Sequence, residues 1–198
     1  MAEVVLVDAG GSNIGSLCYA LERLGAPVRM SDDPESIRAA SHVILPGVGA
    51  AGPGMARLRA KGLDGVLRSL TQPVLGVCLG MQLLFERSEE GDVKCLGQLP
   101  GTVRQLHGGN GVRIPHMGWN RLQLEGANPL LKGLDESPSF VYFVHSYAAP
   151  VTVNTLAYCE HGVPLSAVVR KGNFYGMQFH PERSAALGAR LLGNFLSL

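Results

Sequence analysis

The sequence predicts an α/β fold: a single domain with a largely parallel central sheet covered by helices on both faces, and additional, partly antiparallel strands in the C-terminal half. In the first half, short apolar runs without polar alternation are separated by stretches with helical periodicity, a pattern typical of buried parallel strands. In the second half, apolar runs follow one another across short links rich in Gly, Pro and Asn, which favours antiparallel pairing. No linker-like stretch divides the 198 residues, so residues 1–198 are predicted to form one domain.

The elements of the first half alternate regularly. Strands are predicted at Val4–Val7, residues 27–30, His42–Leu45 and Val74–Val77. Helices are predicted after each of them, with apolar residues at helical spacing over residues 14–21, 34–40, 55–70 and 81–86. In the second half, strands are predicted at residues 140–144, 155–159, 166–170 and 174–178, and an amphipathic helix at 185–198.

Charge and composition exclude several classes of function. Seventeen Lys plus Arg against sixteen Asp plus Glu give a net charge of +1, too balanced for a protein whose main partner is nucleic acid. No apolar stretch approaches the ~20 residues of a membrane span, and the N-terminus lacks the charge pattern of a signal peptide, so we expect a cytoplasmic protein with no membrane partner and free thiols. No group of side chains has metal-ligand spacing, and we expect neither a metal nor a cofactor.

Cys78 is the first candidate catalytic residue. The segment Gly76-Val77-Cys78-Leu79-Gly80 lies at a predicted strand-to-helix junction and has the form of a nucleophile elbow, in which flanking glycines permit a crowded turn. The N-terminus of the following helix favours the thiolate, and the Leu79 N–H faces the position of a developing oxyanion. The alternative is a small buried cysteine in a tight turn.

A thiolate nucleophile needs a base and a group that orients the base. His180 and Glu182 directly follow a predicted strand, and in an extended segment residues two apart point to the same side. Pro181 restricts the backbone between them, which suits a Cys-His-Glu relay. Taken singly, His180 could be a strand-end histidine bonded to a carbonyl, and Glu182 a carboxylate at a helix start.

The segment Pro46-Gly47-Val48-Gly49 ends another predicted parallel strand. Its two glycines allow a peptide N–H, from Val48 or Gly49, to turn toward a developing negative charge and act as the second donor of an oxyanion hole. An ordinary turn between strand and helix fits the segment equally well.

Together these motifs resemble the class I, triad-type glutamine amidotransferases. PHMGWN at 115–120, FVHSY at 143–147 and FYGMQFHPERS at 174–184 resemble more closely the glutaminase subunits of imidazole glycerol phosphate synthases, over essentially the whole chain. The resemblance implies hydrolysis of glutamine to glutamate and ammonia in histidine biosynthesis. It also implies a heterodimer with a separate (β/α)8-barrel cyclase, which uses the ammonia to make imidazole glycerol phosphate and aminoimidazole carboxamide ribotide.

The resemblance also implies roles for further residues. The substrate's α-amino and carboxylate groups would be held by a pocket formed by Gly49, Gln82, Glu90, Ser146 and Tyr147. The cyclase would contact a surface formed by Asn13, Pro115, Met117, Trp119 and Arg183. Other interpretations remain open: Gln82 and Glu90 as helix-surface polar residues, Ser146 and Tyr147 as a plain strand end, and Trp119 as a partly buried ring among polar turn residues.

Competing functions differ in class. The chain could be the glutaminase component of another synthase, such as the pyridoxal phosphate synthase system, which should lack PHMGWN. It could be a stand-alone cysteine hydrolase or a redox sensor of related fold, although a sensor needs no distant His-Glu pair. A non-catalytic binding module is a third interpretation, which the complete triad disfavours. The cysteines Cys18, Cys95 and Cys159 receive no role.

Overall fold

The computed structural model describes residues 3–8, 14–47, 49–109, 111–134 and 139–198. The predicted Asn13 and Val48 therefore lie outside the described residues. Along the chain the elements are β1 (Val4–Val7), α1 (Gly15–Arg23), β2 (Val28–Ser31), α2 (Pro34–Ala39), β3 (His42–Leu45), α3 (Ala51–Ala60), α4 (Leu63–Arg68), β4 (Val74–Val77), α5 (Leu79–Leu83), β5 (Phe85–Ser88), β6 (Val93–Lys94), β7 (Leu99–Gln105), β8 (His116–Arg121), β9 (Gln123–Leu124), β10 (Phe140–His145), β11 (Tyr147–Ala148), β12 (Thr155–His161), β13 (Val163–Lys171), β14 (Phe174–Met177) and α6 (Ala185–Leu196), with 3₁₀ turns at Pro129–Leu131 and Pro181–Arg183.

One sheet dominates the described part of the chain. Its eight strands lie in the order β2-β1-β3-β4-β14-β13-β12-β9. The pairs from β2 to β14 are parallel, whereas β13, β12 and β9 pair antiparallel. The predicted fold class is confirmed, including the antiparallel strands of the C-terminal half.

The sheet is covered on both faces because its central strands are apolar on both sides. Along β1, Val4 and Leu6 pack into a core with α1 and α6, and Val5 and Val7 pack into a second core with α2, α3 and α4. All four residues of β1, β3, β4 and β14 are buried, which explains why these runs carry no polar alternation. No helix in the described ranges is long and apolar enough to cross a membrane.

Three sequence-based predictions of secondary structure were wrong. The helical stretch predicted over residues 55–70 consists of two helices, α3 and α4, separated at Lys61 and Gly62, where Gly62 has a φ of 66°. The helix predicted over residues 81–86 ends at Leu83, and Phe85–Ser88 forms β5, which pairs with β7 in a separate four-stranded sheet of β11, β7, β5 and β6. Phe85 and Ser88 are buried while the two residues between them are exposed, a spacing that also fits a helix turn. The segment 115–120, interpreted as a turn, forms strand β8, which pairs antiparallel with β10.

Candidate active site

Parallel pairing of β4 with β14 brings the two predicted catalytic segments together. Val77 lies opposite Met177, and the Cys78 N–H donates to the Met177 carbonyl at 2.8 Å. Because parallel strands end at the same edge of a sheet, residues that are about a hundred positions apart in sequence meet there. His180 is then anchored by its own N–H, which donates to the Tyr142 carbonyl of β10 at 3.0 Å.

Cys78 lies in a strained turn whose tightness depends on glycine. Its φ of 54° and ψ of −112° lie outside the regions that L-residues prefer. A Cβ at Gly80 would overlap the carbonyl oxygen of Leu45, and a Cβ at Gly76 would come within 2.6 Å of the Gly80 backbone. The geometry is that of a nucleophile elbow. Helix α5 begins directly after Cys78, at Leu79, and has five residues.

His180 and Glu182 form a buried pair. The His180 Nδ1 and Glu182 Oε1 atoms are 2.8 Å apart, and the two side chains are 11% and 8% exposed. The contact does not arise from an extended segment, as the spacing predicted, because residues Pro181–Arg183 form a 3₁₀ turn that folds the carboxylate back onto the ring. The second oxygen of this carboxylate, Glu182 Oε2, is buried and has no hydrogen-bond partner among the described residues.

The environment of His180 favours its protonated form. Burial acts to lower the pKa of His180, but hydrogen bonds with Cys78 and Glu182 and the charges of these two groups outweigh burial and raise the pKa to about 10. The imidazolium therefore lies between a sulfur and a carboxylate. This arrangement can hold a thiolate and later deliver a proton to a leaving group.

A cavity of about 400 Å³ opens beside this group. The predicted substrate residues all contribute to its lining, which consists of Gly49, Cys78, Leu79, Gln82, Glu90, Pro115, Val144, His145, Ser146, Tyr147 and His180. Two of these lining residues, Val144 and His145, were not predicted from the sequence. His145 lies inside the FVHSY motif and alternates with the buried Phe143, a signal that could have placed it on the inner face of the strand.

Gln82 and Glu90 are not surface residues of a helix. Gln82 is buried in α5, and its Nε2 donates to the Tyr147 carbonyl at 2.8 Å and to Gln178 Oε1 at 3.1 Å. With both amide hydrogens used, Gln82 can offer a ligand only its Oε1 acceptor. Glu90 lies in the turn between β5 and β6, where its Oε2 accepts from the Ala51 N–H at 2.8 Å.

The predicted oxyanion-hole residues are only partly described. Leu79 is the first residue of α5 and lines the cavity beside Cys78. Gly49 lines the same cavity with a φ of 95°, a conformation that favours glycine, and a Cβ there would meet nothing within 4 Å. The roles of these two residues as donors stay predictions.

Two of the predicted partner residues, Met117 and Trp119, lie on one side of the β8–β10 ribbon. Met117 and Trp119 are 62% and 55% exposed, and Trp119 contacts the neighbouring Tyr142 ring edge-on at a centroid distance of 6.1 Å. Trp119 is therefore a strand residue facing outward, and the interpretation as a ring capping the core from a turn was wrong. Arg183 is exposed in the turn after His180, and Pro115 lies at the mouth of the cavity.

The remaining cysteines are free thiols away from the cavity. Burial raises the pKa of Cys95 to about 11 and that of Cys159 to about 12, so both stay protonated at neutral pH. Cys18 is half-buried on α1, and burial together with Glu22 raises its pKa as well. Among the described side chains, no group of three or more His, Cys, Asp or Glu could hold a metal ion.

The fold and the site together define a class I glutamine amidotransferase. A family model described as "Glutamine amidotransferase class-I" matches residues 5–197, and the chain belongs to this family. Within it, the chain is 58% identical over 198 residues to the imidazole glycerol phosphate synthase subunit HisH of Xanthomonas oryzae pv. oryzae, covering 100% of this chain and 98% of that relative. It is 54% identical, with the same coverage, to the protein of that name from Xylella fastidiosa.

Solved structures support the fold. A crystal structure of a glutamine amidotransferase matches with a TM-score of 0.75 at 22% identity, covering 98% of this chain and 97% of that one. A Thermoplasma acidophilum protein described as a GMP synthase component matches with a TM-score of 0.74 at 17% identity, covering 100% of this chain and 93% of that one. At these identities the likeness concerns the fold alone.

Proposed function

We propose that this chain is the glutaminase subunit of an imidazole glycerol phosphate synthase and works in histidine biosynthesis in the cytoplasm. It hydrolyses glutamine to glutamate and ammonia and passes the ammonia to a separate cyclase subunit. The observation that carries the proposal is the buried His180–Glu182 pair beside Cys78 at the cavity, in a chain 58% identical to HisH.

The first half of the reaction forms a thioester. The Cys78 thiolate attacks the carboxamide carbon of glutamine, and the resulting oxyanion is stabilised by the Leu79 N–H and by an N–H from Val48 or Gly49. As the C–N bond breaks, the His180 imidazolium gives its proton to the departing nitrogen, which leaves as ammonia. Cys78 now carries a glutamyl group, and His180 is neutral.

The second half restores the enzyme. Neutral His180 takes a proton from water, and the hydroxide attacks the thioester carbon. Collapse of the intermediate breaks the C–S bond and expels the thiolate. The new γ-carboxyl group loses its proton to solvent as glutamate leaves, and the thiolate and the imidazolium are again as they began. Glu182 holds the His180 ring throughout and stabilises its positive charge.

The rest of the cavity recognises the amino-acid end of the substrate. Gln82 Oε1 and the Glu90 carboxylate are acceptors and suit the α-ammonium group. Ser146 and Tyr147 would hold the α-carboxylate, and Gly49 lines the same cavity. Binding therefore uses neutral and acidic acceptors at one end and donors at the other, as a zwitterion requires.

The cyclase is proposed to dock on the outward side of the β8–β10 ribbon. Exposed aromatic and methionine side chains are common at the centres of interfaces, and Trp119 and Met117 supply both kinds. Pro115 joins this surface to the mouth of the cavity, and Arg183 follows the triad carboxylate directly. Docking here would place a partner next to the site where ammonia is released.

Covalent labelling tests the nucleophile. The chloroketone analogue of glutamine should alkylate Cys78 in the full chain, as read by mass spectrometry, and should fail on Cys78→Ser while still labelling Cys159→Ser. In a glutaminase assay, Cys78→Ser should lower turnover by at least about 10³-fold. Labelling at another cysteine, or turnover that survives the substitution, contradicts the assignment.

Reconstitution tests the partner. Glutamine hydrolysis by the isolated chain should be slow and should rise when the cyclase subunit is added. Trp119→Ala should weaken association by about 2 kcal/mol, whereas Val163→Ala, which truncates an exposed residue on the β12–β13 hairpin, should leave it unchanged. Equal turnover with and without the cyclase argues against the coupling.

A further inference from the structure

Two buried histidines, His145 in the lining of the cavity and His116 beside it, take no part in the proposed acyl-transfer steps. His116 and His145 lie directly opposite each other on β8 and β10, on the inner side of the ribbon. His116 Nδ1 and His145 Nε2 are 2.9 Å apart. The His116 ring also stacks on Phe143 and His161, at centroid distances of 4.6 and 4.1 Å.

Both rings are neutral. Burial, reinforced by His145 and His161, lowers the pKa of His116 to about 3. Burial also lowers the pKa of His145 to about 4; the hydrogen bond to the Tyr147 carbonyl acts to raise this pKa, and the charges of His161 and His180 act to lower it. A neutral imidazole has one donor nitrogen and one acceptor nitrogen, so the direction of each hydrogen bond in this cluster is a definite property.

The direction of these hydrogen bonds is determined at Asn120. Its Oδ1 accepts from the Arg121 N–H at 2.8 Å, and its Nδ2 donates to the Glu160 carbonyl at 2.8 Å, so the amide has one possible orientation. The second hydrogen on Nδ2 is then directed at His116 Nε2, 3.1 Å away, which must accept.

Each link determines the next. Because His116 Nε2 accepts, the proton of His116 lies on Nδ1 and is donated to His145 Nε2. The proton of His145 therefore lies on Nδ1, which donates to the Tyr147 carbonyl at 2.9 Å. The chain of donors runs in one direction, from the ribbon to the wall of the cavity.

The Tyr147 carbonyl is where this chain meets the substrate pocket. It also accepts from Gln82 Nε2 at 2.8 Å, and the second hydrogen of that amide goes to Gln178. These two hydrogen bonds determine where Gln82 Oε1 points. A displaced or unpaired Tyr147 carbonyl would release the Gln82 amide from one of its two constraints.

We propose that His116 and His145 are positioning residues for glutamine binding, which hold the Tyr147 carbonyl and through it orient Gln82 toward the substrate's α-amino group. The inference rests on the proposed glutaminase function. It assigns to the inner side of the ribbon a task separate from docking, which belongs to the outer side. Neither histidine touches the reacting atoms.

Two matched substitutions test the proposal in the full chain. His116→Phe keeps a ring stacked between Phe143 and His161 but removes Nδ1 and Nε2, the two ring nitrogens through which His116 bonds to His145 and Asn120. His161→Phe makes the same chemical change in the neighbouring ring. The Nε2 of His161 contacts the Arg113 carbonyl at 2.8 Å, and His161 is not part of the hydrogen-bond series from Asn120 to Tyr147. The readout is the rate at which the chloroketone analogue of glutamine labels Cys78, divided by the rate for iodoacetamide, which needs no amino-acid pocket.

In His116→Phe this ratio should fall about tenfold, the effect of losing one well-placed hydrogen bond on binding, while His161→Phe stays within about twofold of the parent chain. An unchanged ratio in His116→Phe, or an equal fall in both variants, overturns the proposal. If the parent chain reacts with iodoacetamide at Cys78 but not with the glutamine analogue, the proposed function fails instead.

A second measurement uses only the parent protein and so does not depend on whether a variant folds. In ¹⁵N NMR spectra of the histidine-labelled parent chain, His116 and His145 should both carry their proton on Nδ1 at neutral pH, with Nε2 unprotonated. A proton on Nε2 of either ring would reverse a link of the chain and refute the proposal.

Discussion

The nucleophile and the substrate wall of this site are held by different means. Cys78 lies in a turn fixed by backbone packing, in which Gly80 passes so close to the Leu45 carbonyl that no Cβ fits. The substrate residue Gln82 is oriented instead by side-chain hydrogen bonding, because the Tyr147 carbonyl, whose strand β11 pairs with β7, accepts from both His145 and Gln82. The position of Cys78 thus depends on backbone contacts, whereas the orientation of the Gln82 amide depends on hydrogen bonds that a single side-chain substitution can remove.

The largest effect of a substitution on stability is expected at the nucleophile elbow, where the turn is fixed by backbone contacts. Gly80→Ala should destabilise the chain by more than about 4 kcal/mol, because the new methyl group would overlap a backbone oxygen that cannot move without displacing β3. Urea unfolding, followed by circular dichroism, measures the effect. The control is Gly193→Ala in α6, where a Cβ meets nothing within 4 Å and the exchange should stabilise the chain by about 0.5 to 1 kcal/mol. Equal effects of the two substitutions would contradict the conclusion that backbone packing fixes the turn at Cys78.

A smaller effect is expected at the triad carboxylate. Glu182→Gln keeps the shape of the side chain but removes a charge that raises the pKa of His180, so that pKa should move down from about 10 toward 6.5 and turnover should fall by about 10²-fold or more. ¹⁵N NMR of His180 across a pH series gives the midpoint directly. The exposed Glu125→Gln is the matched control, and an unmoved midpoint in Glu182→Gln would show that the pair is not ionic.

Through its interactions with Cys78 and Glu182, His180 should also make the stability of the fold depend on pH. Because the pKa of His180 in the folded chain lies above its ordinary value of 6.5, its ion pairing stabilises the fold fully below pH 6.5, and this contribution is lost as the pH rises through about 10. Between these limits, the free energy of unfolding of the parent chain should decline with pH more steeply than that of Glu182→Gln.

The smallest effect on stability is expected on the outer side of the ribbon. Trp119 is more than half exposed, so Trp119→Ala should change the free energy of unfolding of the isolated chain by less than about 0.5 kcal/mol. Urea unfolding measures this as well. A large loss of stability would mean that the ring supports the ribbon itself, and that its exposure is no sign of a docking surface.

The first half of the fold was predictable from sequence because its strands obey one simple constraint. Val4–Val7, His42–Leu45 and Val74–Val77 are covered on both faces, so apart from His42 they contain no polar residue, and their predicted bounds are those that the structure shows. Prediction failed where the apolar residues of a short segment fit the periodicity of a helix as well as that of a strand. Phe85–Ser88 has buried ends that fit a helix turn, and only its pairing with β7 makes it a strand.

The candidate triad could be identified from sequence because each member stands in a motif with its own chemistry: an elbow cysteine between glycines, and a histidine and glutamate around a proline. The local reason was partly wrong, since Glu182 reaches His180 through a 3₁₀ turn. The lining residue His145 was missed, although its alternation with Phe143 indicates the inner face of the strand; the hydrogen-bond partners of its ring nitrogens depend on residues far away in the sequence.

By itself, the sequence of this protein determined the class of fold, the order of the βα units and the residues equipped for acyl transfer. Composition and local spacing encode those properties directly. The tertiary structure alone decided that β4 and β14 are neighbours, which brings Cys78 to His180. It also decided that consecutive hydrogen bonds run from Asn120 through His116 and His145 to Tyr147, each donated in the same direction. Those relations join residues that lie far apart in the chain, and a hydrogen bond has a direction only when both of its partners are known.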